Sequence, residues 1–286
     1  MGGAWARQAL RAIVVLLATI PTSAMPRSPK EGLAPSTSTV AVSTGGVSIL
    51  ASLRHLVESE NACAMPGVSI KYDTFLPAMW KAVATGHVQL EHAQFVAEGL
   101  RWGFKAGVQV SQLAGHRWFK NYPSAIDSRE AVTRATLKRV KEGKTMDLGA
   151  WSEGLGKSLK ESFKASFIFP MGAVPKQLES DEMRPTSDHT RTGLNAATDL
   201  SFLKHSLNTY NEIAWFLKQD YFLRVSDVEA AFPMLPLHPD LWPFFLFKFF
   251  ASDSSNRPHL FAHVCGDFGA AGMPGVFKMF FVDVVV

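Results

Sequence analysis

The spacing of apolar and polar positions divides the chain into a helical first part and a strand-rich second part. Between Val47 and Glu60, apolar residues fall at Ile49, Leu50, Leu53, Leu56 and Val57, one stripe of a helix. The stretch from Gln89 to Phe104 predicts another helix, broken at Gly99 and Gly103. The run Asn121-Tyr-Pro-Ser-Ala-Ile-Asp-Ser-Arg-Glu-Ala-Val132 predicts a helix start, with Asp127 as the cap and Glu130 placed for the reciprocal bond. That helix should run to about Glu142 and stop at Gly143. Its Arg134, Lys138, Arg139 and Lys141 read as a solvated basic face.

From Phe163 onward the texture changes to short apolar runs separated by turns. Phe167 to Lys176 reads as a broken strand, followed by a charged turn from Gln177 to Met183. Asn208 to Lys218 suits a helix and Tyr221 to Ser226 a strand. Phe244 to Phe250 and His259 to Val264 read as a hairpin, because the segment between them is dense in Ser, Asp, Asn and Pro. Asp220 reads as a helix-end residue and Asp240 as a turn residue, and Val282-Asp283-Val as part of a closing helix or strand. Helices and hairpins in this order predict an α+β fold.

Composition narrows the picture. The chain has 286 residues, 47% of them apolar, enough for one or two buried cores. A formal charge of +4 fits either a plain basic surface or a polyanionic partner. The two cysteines, Cys63 and Cys265, and the nine scattered histidines show no metal-ligand spacing. Residues 1–24 form a leader in which Arg7 and Arg11 precede the apolar run Ala12 to Ile20. It has the pattern of an export signal or of a chance apolar segment, and is too short to span a bilayer. The Phe-rich run near Lys248 is also no span. Residues 25–46, rich in Pro, Ser, Thr and Gly, read as a disordered linker. Residues 47–120 form a helical segment of unknown role, and residues 121–286 carry the motifs.

Three blocks carry chemistry. The first is Pro170-Met-Gly-Ala-Val-Pro-Lys176, followed by Arg184-Pro-Thr-Ser-Asp188 and Leu194-Asn195. The second is the apolar run that delivers Asp227, with Phe232 five positions later and then Leu235-Pro-Leu-His-Pro239. The third is Phe268-Gly-Ala-Ala-Gly-Met-Pro-Gly-Val-Phe277, a glycine turn opening a helix. In this order the blocks resemble reverse transcriptases (RNA-directed DNA polymerases), with the texture of retrotransposon enzymes. Asn121-Tyr-Pro-Ser-Ala125 and the basic helix resemble the segment leading into the fingers of such enzymes.

The resemblance implies the fingers and part of the palm of a right-hand polymerase, and two-metal nucleotidyl transfer. Asp227 would hold two Mg2+ (or Mn2+) ions, helped by the backbone carbonyl of Val228. Lys176 and Arg184 would grip the incoming triphosphate. Phe232 would lie beneath the sugar, and Gly269 would let the template–nucleotide pair approach the backbone. The implied partners are an RNA or DNA template–primer and deoxynucleoside triphosphates, and the implied location is nuclear or cytoplasmic. Asp188 is expected to be a structural partner of Arg191.

Taken singly, these residues have plainer readings: Asp227 as a turn or cap residue, Lys176 and Arg184 as surface charges, Phe232 as core. The sequence also departs from the family. Phe268 stands where many relatives carry Gln, and no paired-aspartate motif follows Gly269. The expectation is therefore a fragment inactive alone, unless another chain completes the palm. The alternative is a non-catalytic remnant that binds nucleic acid or a partner.

Overall fold

The computed structural model describes residues 72–176, 182–204, 228, 230–252 and 256–285. The leader, the linker, the helix expected from Val47 to Glu60, that from Asn208 to Lys218, the strand from Tyr221 to Ser226, and Asp220 and Asp227 lie outside the described residues.

Two helices come first, α1 (Tyr72–Ala84) and α2 (Leu90–Trp102). α2 buries Ala93, Val96, Gly99 and Leu100, the spacing of one helical face. The break expected at Gly99 does not occur. The Gly103 N–H still donates to the Gly99 carbonyl at 2.9 Å, and a Cβ at Gly99 would lie 2.0 Å from the Phe104 ring. Gly99 is there to admit that ring, not to interrupt the backbone. Gly103 does end the helix.

Pro123 opens a short helix, α3 (Pro123–Asp127), a turn before the expected start, because proline is well suited to a first helical position. Asp127 is therefore already helical. Ser128 joins α3 to α4 (Arg129–Lys141), and Glu130 pairs with Arg134 instead of reaching back to a cap. The stop at Gly143 holds: its φ is +70°, which glycine adopts without strain.

The strands are β1 (Gly115–Trp118), β2 (Thr145–Ala150), β3 (Ala165–Ile168), β4 (Met171–Pro175), β5 (Met183–Ser187), β6 (Leu246–Phe250) and β7 (Pro258–His263). β2 is followed by α5 (Glu153–Ser162), whose N-terminus is capped by the Ser152 hydroxyl accepting from the Leu155 N–H at 3.1 Å. The run from Phe167 to Lys176 is a strand broken at Phe169-Pro170, as expected. β6 and β7 form the expected antiparallel hairpin, and α6 (His189–Thr192) and α7 (Met273–Phe277) complete the list, α7 passing into a π-helical stretch, Lys278–Val285, that includes Asp283.

Five strands form one mixed sheet in the order β1-β3-β6-β7-β2; β4 and β5 form a separate two-stranded sheet. The fold is α+β. β1 lies parallel to β3. α2 shares one core with Phe167, Phe245, Val264, Met273 and Phe280.

Alternation along β6 sends its side chains to two faces. Phe247 and Phe249 meet Phe169, Phe261, Val132 of α4, and Met171 and Ala173 of β4. Leu246 faces the other way, with Ile168, Leu260, Ala262 and Leu159 of α5. Each buried Phe contributes about 1.5–3 kcal/mol of transfer free energy. The Leu235-Pro-Leu237 motif is a tie between elements. Phe104 N–H donates to Pro236, Leu237 N–H to Val264 and Gly266 N–H to Leu235, each at 2.8 Å. Asp240 sits in a 3-10 turn, Pro239–Phe244, as a turn residue should.

Candidate nucleotide-binding face

β4 and β5 form an antiparallel hairpin in which Val174 pairs with Arg184 and Gly172 with Thr186. Cross-strand partners share a face. Met171 and Ala173 are buried against the sheet, and on the alternate face Gly172 is covered by Tyr122 and Ser124 while Val174 and Arg184 are exposed. Lys176 follows two residues after Val174. Its N–H donates to the Glu182 carbonyl at 2.8 Å, and its ammonium is ion-paired with the Glu182 carboxylate. The hydrogen bond from Lys176, then its charge, lower the Glu182 pKa. Lys176 and Arg184 are both exposed.

The motif Asn121-Tyr-Pro-Ser124 holds this hairpin by its free edge. Asn121 Oδ1 accepts from the Met171 N–H at 3.0 Å, and Ser124 Oγ accepts from the Ala173 N–H at 3.2 Å. The Tyr122 hydroxyl donates to Asp188 at 2.6 Å. Asp188 caps α6 by accepting from the Arg191 N–H at 2.9 Å. Burial opposes the charge of Asp188, but the bonds from Tyr122 and from the Arg191 and Thr190 backbone outweigh it and lower the pKa. Asp188 thus meets Arg191 through its backbone, while the guanidinium donates to the Tyr122 oxygen at 3.3 Å.

Gly269 lies against the root of the same hairpin. A Cβ there would stand 2.1 Å from the Ser187 carbonyl oxygen, so the close approach that Gly269 permits is to β5. Asn195 clamps the loop from both sides, donating to the Gly269 carbonyl at 3.0 Å and accepting from the Ala271 N–H at 2.9 Å. The neighbouring Phe268 is 59% exposed, and its ring lies 4.6 Å from that of half-buried Phe232. Phe232 is partly buried and packs against the core. Lys176 and Arg184 share a face; Phe232, Phe268 and Gly269 form a second group, joined to the first through Ser187. Val228 is half-buried. Asp227 lies outside the described residues, so no distance to it enters the site.

Behind the Gly269 loop lies a buried polar cluster that pattern reading missed. Asp267 accepts from His189 Nε2 at 3.2 Å and from Arg139 at 3.3 Å. Arg139 Nη1 is 3.4 Å from His263 Nε2, and His263 Nδ1 is 2.8 Å from the Thr145 hydroxyl. The rings of Phe169 and Phe245 flank His189 at 4.4 and 4.7 Å. Burial, with further help from Arg139 and His189 against the pull of Asp267, pushes His263 down to about 3. It is therefore neutral at pH 7, accepting from Arg139 and donating to Thr145. Burial opposes the Asp267 charge, yet His263, the bond from His189 and the Arg139 charge hold its pKa well below the ordinary carboxylate range. Arg139 was expected on a solvated face; the only cue to its real position is its place on the buried side of α4, beside Thr136 and Val132.

Among the described residues no group of three His, Cys, Asp or Glu side chains is disposed to hold a metal ion. Among the same residues no helix is long and apolar enough to cross a membrane. No family model matches the chain, and no curated protein matches it.

Proposed function

We propose that this chain carries the fingers and part of the palm of a retroelement RNA-directed DNA polymerase, binding template–primer and deoxynucleoside triphosphate. The observation that carries the reading is the β4–β5 hairpin, which presents Lys176 and Arg184 on one outward face. A triphosphate needs cations that stay charged at any working pH and that converge from two strands, and this hairpin offers them. The Gly269 loop against Ser187 brings the Phe232–Phe268 pair toward the same hairpin, a planar apolar partner for sugar or base. Asp227, with Mg2+ or Mn2+, would supply the transfer chemistry.

The second reading is a non-catalytic remnant that binds nucleic acid or a partner. Binding of a fluorescent deoxynucleoside triphosphate, compared with the monophosphate, tests the first reading. The triphosphate should bind more tightly, and Lys176→Gln/Arg184→Gln should remove about tenfold or more of that preference, since charge-assisted bonds contribute about 1.5–3 kcal/mol each. Equal affinity for the two nucleotides would overturn it. Template–primer binding without triphosphate preference would leave the second reading standing.

A further inference from the structure

The sheet face opposite the hairpin carries a second set of cations, seated on tryptophans. Trp118 of β1 and Trp151, just after β2, stand edge to face with centroids 5.5 Å apart. Gly156 of α5 is seated on both rings; a Cβ there would lie 3.3 Å from each. Lys248 of β6 places its ammonium 4.4 Å from the Trp151 centroid, and Lys160 of α5 lies 4.9 Å from that of Trp118. Asn121 Nδ2 donates to the Lys248 carbonyl at 2.7 Å, which brings the neighbouring Lys120 to the same place.

Lys248 is half-buried, and burial followed by the charge of Lys120 lowers its pKa. Both named influences therefore disfavour its charge. Two carboxylates of the flanking elements are engaged elsewhere, Glu161 with Lys157 at 3.8 Å and Asp147 with His259 at 2.9 Å, and the third, Glu153, lies exposed at the start of α5. Indole faces stabilise the ammonium groups only in part. A like-charged pair held at an aromatic platform gains most from an anion placed between its members. A nucleic-acid strand supplies both complements, phosphate for lysine and a planar base for indole. An acidic peptide supplies only the first.

We propose that this face binds a single nucleic-acid strand, with Lys120, Lys160 and Lys248 contacting phosphates beside the Trp118–Trp151 pair. By the alternation along β6, Lys248 points away from the Phe247 side that packs under the hairpin. The site is thus separate from Lys176 and Arg184 and does not depend on their role.

The test is fluorescence anisotropy of a labelled single-stranded oligonucleotide, titrated with the full chain over a range of salt. Lys120→Gln/Lys248→Gln should weaken binding about tenfold and flatten the log–log salt slope by about 0.7 for each lost contact. Lys157→Gln, on the same helix as Lys160, should leave the slope unchanged. Ultraviolet cross-linking of a bromouracil-containing strand should label peptides holding Trp118 or Trp151, and should persist in Lys176→Gln/Arg184→Gln. The proposal is overturned by an unchanged slope in the double variant, by an equal effect of Lys157→Gln, by cross-links confined to other peptides, or by equal competition from polyglutamate. Thermal melts of each variant distinguish lost binding from lost folding, and Lys120→Arg/Lys248→Arg should restore binding to a folded protein.

Discussion

Asp267 and His189 meet inside the protein with side chains 4% and 0% exposed, joined by a 3.2 Å bond from Nε2 to the carboxylate. His189 Nδ1 has no hydrogen-bond partner among the described residues, so the bond to Asp267 is the ring's one polar tie there. Arg139 completes the pair's charge balance. The Arg139–Asp267 ion contact adds little over apolar packing, but removing Asp267 leaves the Arg139 charge uncompensated. Asp267→Ala should therefore cost about 3–5 kcal/mol. Urea unfolding of the variant checks this; a loss under 1 kcal/mol would mean that water already reaches the cluster.

The same cluster makes the fold acid-sensitive. His263 has a folded pKa of about 3, against an ordinary value of about 6.5 in the unfolded chain. Between those values the unfolded state binds a proton that the folded state refuses. Stability therefore falls as pH drops from about 6.5 toward 3, by up to about 1.4 kcal/mol per unit. Asp267 adds to this lower down: its depressed folded pKa contributes stability above about pH 3.9 that is lost on further acidification. The urea midpoint should decline from pH 7 to 4, and His263→Gln should flatten that decline. Equal slopes in wild type and variant would assign the acid sensitivity to other groups.

Gly269→Ala tests how tightly the loop sits on the hairpin. Its Cβ would meet the Ser187 carbonyl, backbone that cannot swing aside as a side chain could. Overpacking of this kind costs about 1–3 kcal/mol. The variant should melt at lower temperature and lose hydrogen-exchange protection at Gly172, which pairs with Thr186 of β5 next to Ser187. An unchanged melting temperature would show that the loop has room to retreat.

Tyr122→Phe removes the hydroxyl that Asp188 accepts from and that Arg191 donates to. Bonds to a charged group contribute about 1.5–3 kcal/mol. Because both partners can turn to water, the expected loss is at the low end of that range, about 1.5 kcal/mol. If the Asp188 bond holds the hairpin root, triphosphate affinity should fall with stability, read from the same nucleotide titration. A stability loss with no change in affinity would confine Tyr122 to a structural role.

Much of the fold was legible because its determinants are local. The break at Phe169-Pro170, the hairpin of β6 and β7, the stop at Gly143 and the glycine turn opening α7 each follow from a few adjacent residues. The sharing of a face by Lys176 and Arg184 also follows, once the turn between them closes in register. Tertiary structure decided the rest. Gly99 reads as a breaker until Phe104 is seen to fill its space. β1 is a strand because β3 lies beside it; His116 and Trp118 in isolation announce no strand. Arg139 reaches Asp267 across 128 residues of sequence; its place in the Val132–Thr136 stripe turns it inward, but only the arrival of Asp267 gives it a partner. The physical reason is common to all three. Propensity and turn chemistry act over one or two turns of chain, whereas burial, charge pairing and strand partnership depend on which distant segment arrives alongside.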